Sequence, residues 1–502
     1  MCGFVVTTDI DNIQNMTERQ AFRGPDGCRY ARNKDIAMGH ALLDIRGVQG
    51  WQPVQTKNNN MFVFNGEAYD SNVDNDTLFL ANGFETYGLR FLSSTDWHGS
   101  FVHYNTETRE LTAVRDHFGA KPLWIYKKGE DITISTSLKS FTKKKYNHSH
   151  TQQYKRQKQW FKRESPYKDI IKVMPGEIFK YNFATKKLMK SKNLWDIHLM
   201  QTFYPQVPKD FEERLVNNIR KLAQSKQKTG LFLSGGLDST MVLSVVKDMD
   251  IDLEVFTCAY GQEKTEFDFQ GMRDESKMAI QTCKEWNIPI NVVTLPYNYV
   301  EHYGRMWMNN THFAWSDHNR RAPRYALCQA AKAKGCKVIL TGDSADEMFG
   351  GYTHHDKRLD KKYTDWSIKI NPDIPKCYGD DFINNSLFID MFCTSEQNIL
   401  ATDQTCGMFG LESRPVFLGQ NFVKYVFAIA GKWKLAHNEK FGKRWMIQKY
   451  LLREVCGHRL PAHVRNRNSK IGWSSPWNNN VPKYSNPWVE QDILHMQEIE
   501  KE

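Results

Sequence analysis

Over the first 190 residues, apolar and polar positions alternate in short bursts. MFVFNGEAY (61–69), SFVHYN (100–105), LTAVRD (111–116), LWIYKK (123–128) and ITISTS (132–137) are each bounded by turn residues and predict strands. Runs of this kind pair into sheets, and their number predicts two packed sheets. After about Tyr204 the rhythm changes. GLFLSGG (230–236), LEVFTCAY (253–260), INVVTLPY (290–297) and KVILTGD (337–343) read as buried strands. Between them STMVLSVVKDM (239–249), DESKMAIQTCKEW (274–286) and RYALCQAAKAKG (324–335) repeat apolar residues at helical spacing. Strands alternating with helices predict a parallel α/β sheet. From about Tyr363 the pattern is mainly helical, as in QNFVKYVFAIAGKW (420–433) and FGKRWMIQKYLLREV (441–455).

Bulk properties narrow the class. A chain of 502 residues, 40% of them hydrophobic, exceeds what one core usually serves, so two domains are expected. No apolar run reaches the ~18 residues a membrane span needs, and the polar stretch after residue 5 does not read as a signal peptide. The expectation is a soluble, cytoplasmic protein. Ten cysteines lie singly, with no C-x-x-C pair, which argues against a disulfide framework and against a zinc knuckle. The net charge of +11 is concentrated between Lys139 and Lys168, where ten Lys or Arg face one acid. That stretch reads as a solvated connector, partly helical from Gln152, rather than a nucleic-acid surface. An electrostatic docking patch is its alternative use.

Three short stretches carry chemistry. The chain opens MCGF, and removal of Met1 would leave a thiol and an α-amine on the same residue, Cys2. Their ordinary pKa values, about 8.5 and about 8, would let the amine take the thiol proton near neutrality. In LFLSGGLDST (231–240) two glycines follow a predicted strand and open a helix, a geometry in which backbone N–H groups cradle an anion. No G-K-[ST] follows, so this is not a Walker A loop. Asp238 would repel a bare phosphate and implies a divalent cation beside pyrophosphate. The turn after KVIL, TGDSADEMFGGY, delivers Asp343, Asp346 and Glu347 to the same carboxyl edge of the sheet, where open α/β sheets bind ligands. Mg²⁺ takes such hard oxygens, one or two at a time, alongside phosphate.

MCGF, FRGPDG (22–27), FNGEAYD (64–70), NDT (75–77), RDHFGAKPLW (115–124), VMPGEI (173–178), LFLSGGLDST, LTGDSADEMFGGY, GLESRPVFL (410–418) and KIGWSSPW (470–477) occur in this order. Singly they are weak; as an ordered set from residue 2 to about 477 they resemble the glutamine-dependent asparagine synthetases. The resemblance implies an α+β N-terminal-nucleophile hydrolase sandwich (2–190). It also implies an α/β parallel-sheet PP-loop domain of the adenine nucleotide α-hydrolase type (205–480), with a helical C-terminal part and a tail (481–502). It implies Cys2 as the glutaminase nucleophile, with Asn65 and Gly66 as the oxyanion hole. Such donors are worth about 3 kcal/mol of transition-state stabilisation. Glu67 and Asp76 would hold the α-ammonium of glutamine. Leu233, Ser234, Gly235, Gly236, Asp238 and Ser239 would hold ATP and its pyrophosphate, with Lys470 approaching the phosphates. Asp238 and Asp346 would share Mg²⁺, and Gly342, Asp343 and Glu347 would face the acceptor. Ammonia released at Cys2 would cross an internal passage to an acyl-adenylate.

The chain also departs from the pattern. Leu42 stands in HALLDI where the family has an arginine for the glutamine α-carboxylate, and Arg46 is the candidate replacement. Gly419 stands in PVFLG where an acid is expected, and GDSADE replaces GEGSDE. These differences bear on the acceptor more than on the reaction. Asparagine formation with glutamine and ATP leads; the same chemistry on a sugar acid, peptide carboxylate or lactam precursor is the alternative. A basic binding protein without activity is the third reading, and it leaves Asp238 and Asp346 unexplained. Partners are expected to be small molecules, with no membrane and no nucleic acid, and a homodimer is left open.

Overall fold

The computed structural model describes residues 2–47, 50–70, 75–147, 149, 163–197, 203–260, 276–295, 303, 306–307, 309–312, 318–352, 355, 381–437 and 446–467. Two six-stranded antiparallel sheets form the N-terminal part. In spatial order the first holds Ile170–Lys172, Trp124–Lys128, Asp131–Ser135, Gly3–Thr7, Ala37–Leu42 and Gly27–Arg32. The second holds Lys187–Asn193, Glu177–Asn182, Glu110–Arg115, Trp97–Asn105, Met61–Ala68 and Val54–Gln55. Phe4, Val6 and Met38 of the first meet Val63, Val102 and Leu111 of the second in one buried core. Side chains alternate along a strand, so Val5 and Ala37 face the other way and pack on Ile13 and Met16 of the helix Ile13–Glu18. Helices Asp76–Tyr87 and Leu89–Ser94 cover the outer face of the second sheet through Leu80, Ala81 and Leu92. Burial on both faces is why GFVVT is a continuous apolar run rather than an alternating one.

The second part is a five-stranded sheet in the order Asn291–Leu295, Leu253–Tyr260, Thr229–Phe232, Val338–Thr341, Glu412–Pro415, every pair parallel. The four strands expected from the apolar runs are all present. The helices Leu237–Val246, Ser276–Glu285 and His318–Ala333 follow them as expected. The fifth strand, ESRP, was not legible: two charges and a proline do not read as a buried strand. The helix expected over 441–455 is corrected: 441–445 lie outside the described residues, and of the rest only Tyr450–Val455 is helical. Met446–Ile447 instead pairs antiparallel with Ala436–His437. Lys449 takes a left-handed φ of 55°, a conformation that no right-handed helix interior adopts. The expected helical part of the basic connector lies outside the described residues, as do KIGWSSPW and the tail.

Buried ion pairs dock the two parts. Arg115 Nη1 lies 3.0 Å from Glu396 Oε1, and Lys172 Nζ lies 2.8 Å from Glu396 Oε2. Arg23 Nη2 lies 2.9 Å from Asp403 Oδ2, and Lys121 pairs with Glu412. RDHFGAKPLW is thereby explained as architecture. Arg115 donates to the carbonyls of Lys121, Gly119 and Val173, and the Asp116 carboxylate accepts from the N–H groups of Gly99, Phe118 and Ala120.

Candidate functional site

The first half of the site is a small, partly open cleft between the sheets and the second domain. Its walls include Cys2, Leu42, Arg46, Gly66, Asp76 and Glu412. Strand Gly3–Thr7 carries Cys2 at its start, beside the end of Ala37–Leu42. The Leu43 N–H donates to Cys2 Sγ at 3.4 Å, and the thiol points back at the Leu43 carbonyl at 3.7 Å. Arg23 Nε donates to the Cys2 carbonyl at 3.1 Å, tying the nucleophile's backbone to the Arg23–Asp403 pair. Burial pushes the Cys2 thiol up to about 11, against the pull of the N-terminal ammonium. Desolvation thus favours the neutral thiol, which must hand its proton to a base before it can attack.

Strand Met61–Ala68 supplies the other groups. Asn65 is fully buried, and neither end of its amide has a hydrogen-bond partner among the described residues. Gly66 has a φ of +151°, and a Cβ there would lie 2.0 Å from the His98 carbonyl oxygen, so only glycine fits. Glu67 does not stand free in the cleft. Arg414 Nη2 contacts both of its oxygens, at 3.0 and 2.8 Å. Asp76 opens the helix Asp76–Tyr87 and lies 3.3 Å from Arg46 Nε, while Arg46 Nη2 donates to the Ala68 carbonyl at 2.8 Å. Arg46 therefore does line the pocket beside Leu42. Burial pushes the Asp76 carboxyl up to about 6, with Arg46 offsetting only part of the effect.

The second half lies at the carboxyl edge of the parallel sheet. Gly235 takes a φ of +75°, and Gly236 precedes the helix Leu237–Val246, so strand Thr229–Phe232 turns directly into a helix N-terminus. The Ser234 N–H donates to Ser239 Oγ at 3.1 Å, the two hydroxyls lie 3.0 Å apart, and the Gly236 N–H donates to Ser234 Oγ at 3.2 Å. Gly342, after strand Val338–Thr341, presses on this loop. A Cβ there would sit 3.1 Å from both Asp238 Cβ and Ser239 N. That contact brings the two acidic turns together.

Asp238 and Asp346 converge on one cation, Lys449, whose Nζ lies 2.5 Å from Asp238 Oδ2 and 2.7 Å from Asp346 Oδ1. Burial works against the charge on Lys449, yet the two carboxylates outweigh it and raise its pKa. Asp343 Oδ2 accepts from the hydroxyls of Thr341 and Thr402, at 3.0 and 2.9 Å, and Arg324 lies 3.5 Å from the other oxygen. Glu347 is buried and accepts from Tyr352 Oη at 2.9 Å. Lys470 lies outside the described residues. Sequence reasoning missed Lys449, Arg414, Glu412 and Arg23. The last three stand inside quoted motifs, and Lys449 lies within the run 441–455 read as helix.

An antiparallel sandwich with a cysteine at its leading edge, followed by a parallel sheet with an S-G-G-x-D-S turn, defines an N-terminal-nucleophile amidotransferase joined to a PP-loop synthetase. The chain belongs to the Asparagine synthase family, glutamine-hydrolysing carbon–nitrogen ligases: that family's model matches residues 210–500, and the Glutamine amidotransferase domain matches residues 1–195. Asparagine synthetase [glutamine-hydrolyzing] 1 of Bacillus subtilis is 24% identical over 592 residues, covering 99% of this chain and 90% of that protein. Amidase chyE of Penicillium rubens is also 24% identical, over 68% of this chain, which spans 55% of that protein. Among solved structures, a glutamine phosphoribosylpyrophosphate amidotransferase from B. subtilis overlays with a TM-score of 0.30 at 13% identity, covering 69% of this chain and 77% of that one. That likeness is too distant to bear on function. No helix among the described residues is long and apolar enough to cross a membrane.

Proposed function

We propose that this chain makes an amide from a carboxylate, with ATP as the energy source and glutamine as the nitrogen donor, and that aspartate is the acceptor. The observation that carries the reading is the shared wall of the Cys2 pocket: Glu412, on the edge strand of the parallel sheet, lines the cleft that holds Cys2. A glutaminase cleft closed by the synthetase domain suits ammonia handed inward rather than released.

Cys2 Sγ attacks the glutamine amide carbon. The proton it must shed, held tightly at a pKa of about 11, goes to the α-amine that removal of Met1 would place on the same residue. The Asn65 amide, without a partner among the described residues, donates to the oxyanion together with the Gly66 N–H; the C–N bond then breaks, the amine passes the proton to the departing ammonia, and water hydrolyses the thioester to glutamate and free thiol. Arg46 takes the α-carboxylate in place of an arginine at 42, and Asp76 takes the α-ammonium. Because Glu67 is engaged by Arg414, its part is to hold the interface and shape the cleft.

At the second site the turn from Leu233 to Ser239 binds the nucleotide phosphates through backbone N–H groups and two hydroxyls. Asp238 and Asp346 suit Mg²⁺: they are hard-oxygen donors that already converge on the Lys449 ammonium. When bound, the ion would neutralise phosphate charge. The acceptor carboxylate attacks the α-phosphorus, pyrophosphate leaves, and ammonia then displaces AMP from the acyl-adenylate.

The second reading, another carboxylate acceptor, is supported by Gly419. A Cβ at that position would come 1.8 Å from Asn218 Oδ1, so the acid expected there has no room. The amidase relative points the same way. A panel of carboxylates assayed for ATP-dependent pyrophosphate release, with glutamine or ammonium as donor, decides between the two. Release with aspartate supports asparagine formation, release with a different acid alone supports the second reading, and no release with any acid defeats both.

A further inference from the structure

Lys449 belongs to none of the sequence motifs, yet it holds the centre of the nucleotide site. Its side chain is 7% exposed, and its ammonium touches one oxygen of each carboxylate assigned to the metal. The backbone is set for this contact. Lys449 adopts φ 55° immediately before the helix Tyr450–Val455, and its N–H donates to the Gly350 carbonyl at the end of the acidic turn. A non-glycine residue in that region is strained, and persists where surrounding structure demands it.

Two carboxylates this close repel one another unless a cation lies between them. Taken by themselves, these three side chains carry a net charge of −1, and Arg453 lies within electrostatic reach of Asp238. A free divalent ion entering beside Lys449 would raise that charge to +1 within a poorly hydrated site, an unfavourable reversal. The polyphosphate of a nucleotide brings enough negative charge to accept both cations. A lysine has the four-carbon stem and three donors to turn from carboxylate to phosphate without moving its backbone.

Resting on the nucleotide–metal reading of this site, we propose that Lys449 is a resident cation. It keeps Asp238 and Asp346 converged before substrate arrives, blocks free Mg²⁺, and transfers its ammonium to the phosphates when metal and nucleotide enter together. Lys449 is thus a positioning residue that makes metal binding depend on nucleotide.

The test uses Mn²⁺ in place of Mg²⁺, with free Mn²⁺ read by electron paramagnetic resonance on the full-length protein, with and without an α,β-methylene ATP analogue. Wild type should bind Mn²⁺ weakly alone and at least tenfold more tightly with the analogue. Lys449→Met, with its fold checked by circular dichroism, should bind Mn²⁺ alone at least tenfold more tightly than wild type and hold the Mn²⁺–analogue complex at least tenfold more weakly. Lys449→Arg should keep the wild-type order. Unchanged nucleotide-free Mn²⁺ affinity in Lys449→Met, with analogue binding intact in wild type, overturns the inference alone. Tight nucleotide-free Mn²⁺ binding by wild type overturns it without recourse to any variant. Failure of wild type to bind Mn²⁺ even with the analogue overturns the nucleotide-site reading itself, and this inference with it.

Discussion

Leu42 and Arg46 share one pocket wall, and only Arg46 can donate to a carboxylate. Leu42 is buried in the pocket wall and donates nothing, while Arg46 reaches the same cleft from four residues on and lies against Asp76. Arg46→Ala should therefore raise the glutamine KM at least tenfold, as loss of a charge-assisted hydrogen bond worth about 1.5–3 kcal/mol requires. Kinetics with ammonium should be unchanged, and a silent mutation would remove Arg46 from the glutamine site. Asp76 carries a pH dependence. Its folded pKa of about 6 lies above the ordinary 3.8, so the folded protein retains a proton there that the unfolded chain gives up. The stability this lends is complete below about pH 4 and is lost as pH rises through 6. Asp76→Asn should accordingly raise the melting temperature at pH 8 and leave it unchanged at pH 4. It should also weaken glutamine binding at pH 8, and wild-type glutamine KM should rise as pH falls below 6. A melting temperature that drops at pH 8 would refute the assignment.

At the scale of elements, the edge strand Glu412–Pro415 and the helix beside it explain most of what the hydrophobic pattern did not show. The strand buries Glu412 and Arg414, whose partners Lys121 and Glu67 come from the other domain, so it is apolar in neither sequence nor surroundings. At its far end Gly419 caps the helix Gln420–Ala428 against Asn218, which donates to the Val416 carbonyl at 2.9 Å. Gly419→Asp would force Asn218 off that bond. It should destabilise the protein by about 1–3 kcal/mol, through overpacking and a lost buried hydrogen bond, seen as an earlier denaturation midpoint. Equal stability would show that Asn218 repacks freely, and the acid at 419 could then be restored as a test of acceptor choice.

For the whole molecule, the ion pairs that dock the two parts are buried on both sides, so each depends on its partner. Removing one cation takes a partner from a buried carboxylate, a loss of up to about 3–5 kcal/mol, although Glu396 has both Arg115 and Lys172 and Asp403 also has Arg23. Lys121→Met would leave Glu412 and Asp403 without their ammonium, and it should impair both half-reactions together with the fold. Cys2→Ala should abolish glutamine use yet spare ammonium-driven synthesis, because the sites are separate. Retention of Met1 in active enzyme, read by intact mass, would contradict the proposed base. The interface is also acid-sensitive. Burial opposes the charges on Glu412 and Glu396, but Lys121 holds the first low, and Lys172 with Arg115 holds the second low. Their contribution is present above the usual carboxylate pKa and is lost as pH falls through the lower folded values. Acid unfolding monitored by tryptophan fluorescence should be shifted to higher pH in Lys172→Met; an unshifted midpoint would mean that Glu396 carries no docking energy.

The chain's own pattern determined the period of its elements, the parallel order implied by strands alternating with helices, and the two turns rich in Gly and Asp. These are local properties, set by the next few residues along the backbone. Local chemistry likewise made Cys2 and Asp238 legible as candidates, while Asn65 was a candidate only through the resemblance of FNGEAYD. Tertiary structure alone decided what each charge meets. Glu67, on the wall of the Cys2 cleft, is held by an arginine 347 residues away, and Lys449 spans two carboxylates that the sequence assigned to a metal. It also decided the state of the Cys2 thiol, because desolvation depends on the second domain lying across the cleft. A residue's type states which charge or bond it offers; only packing between distant segments removes water from it and supplies a partner, and the chemistry of both sites follows from that pairing.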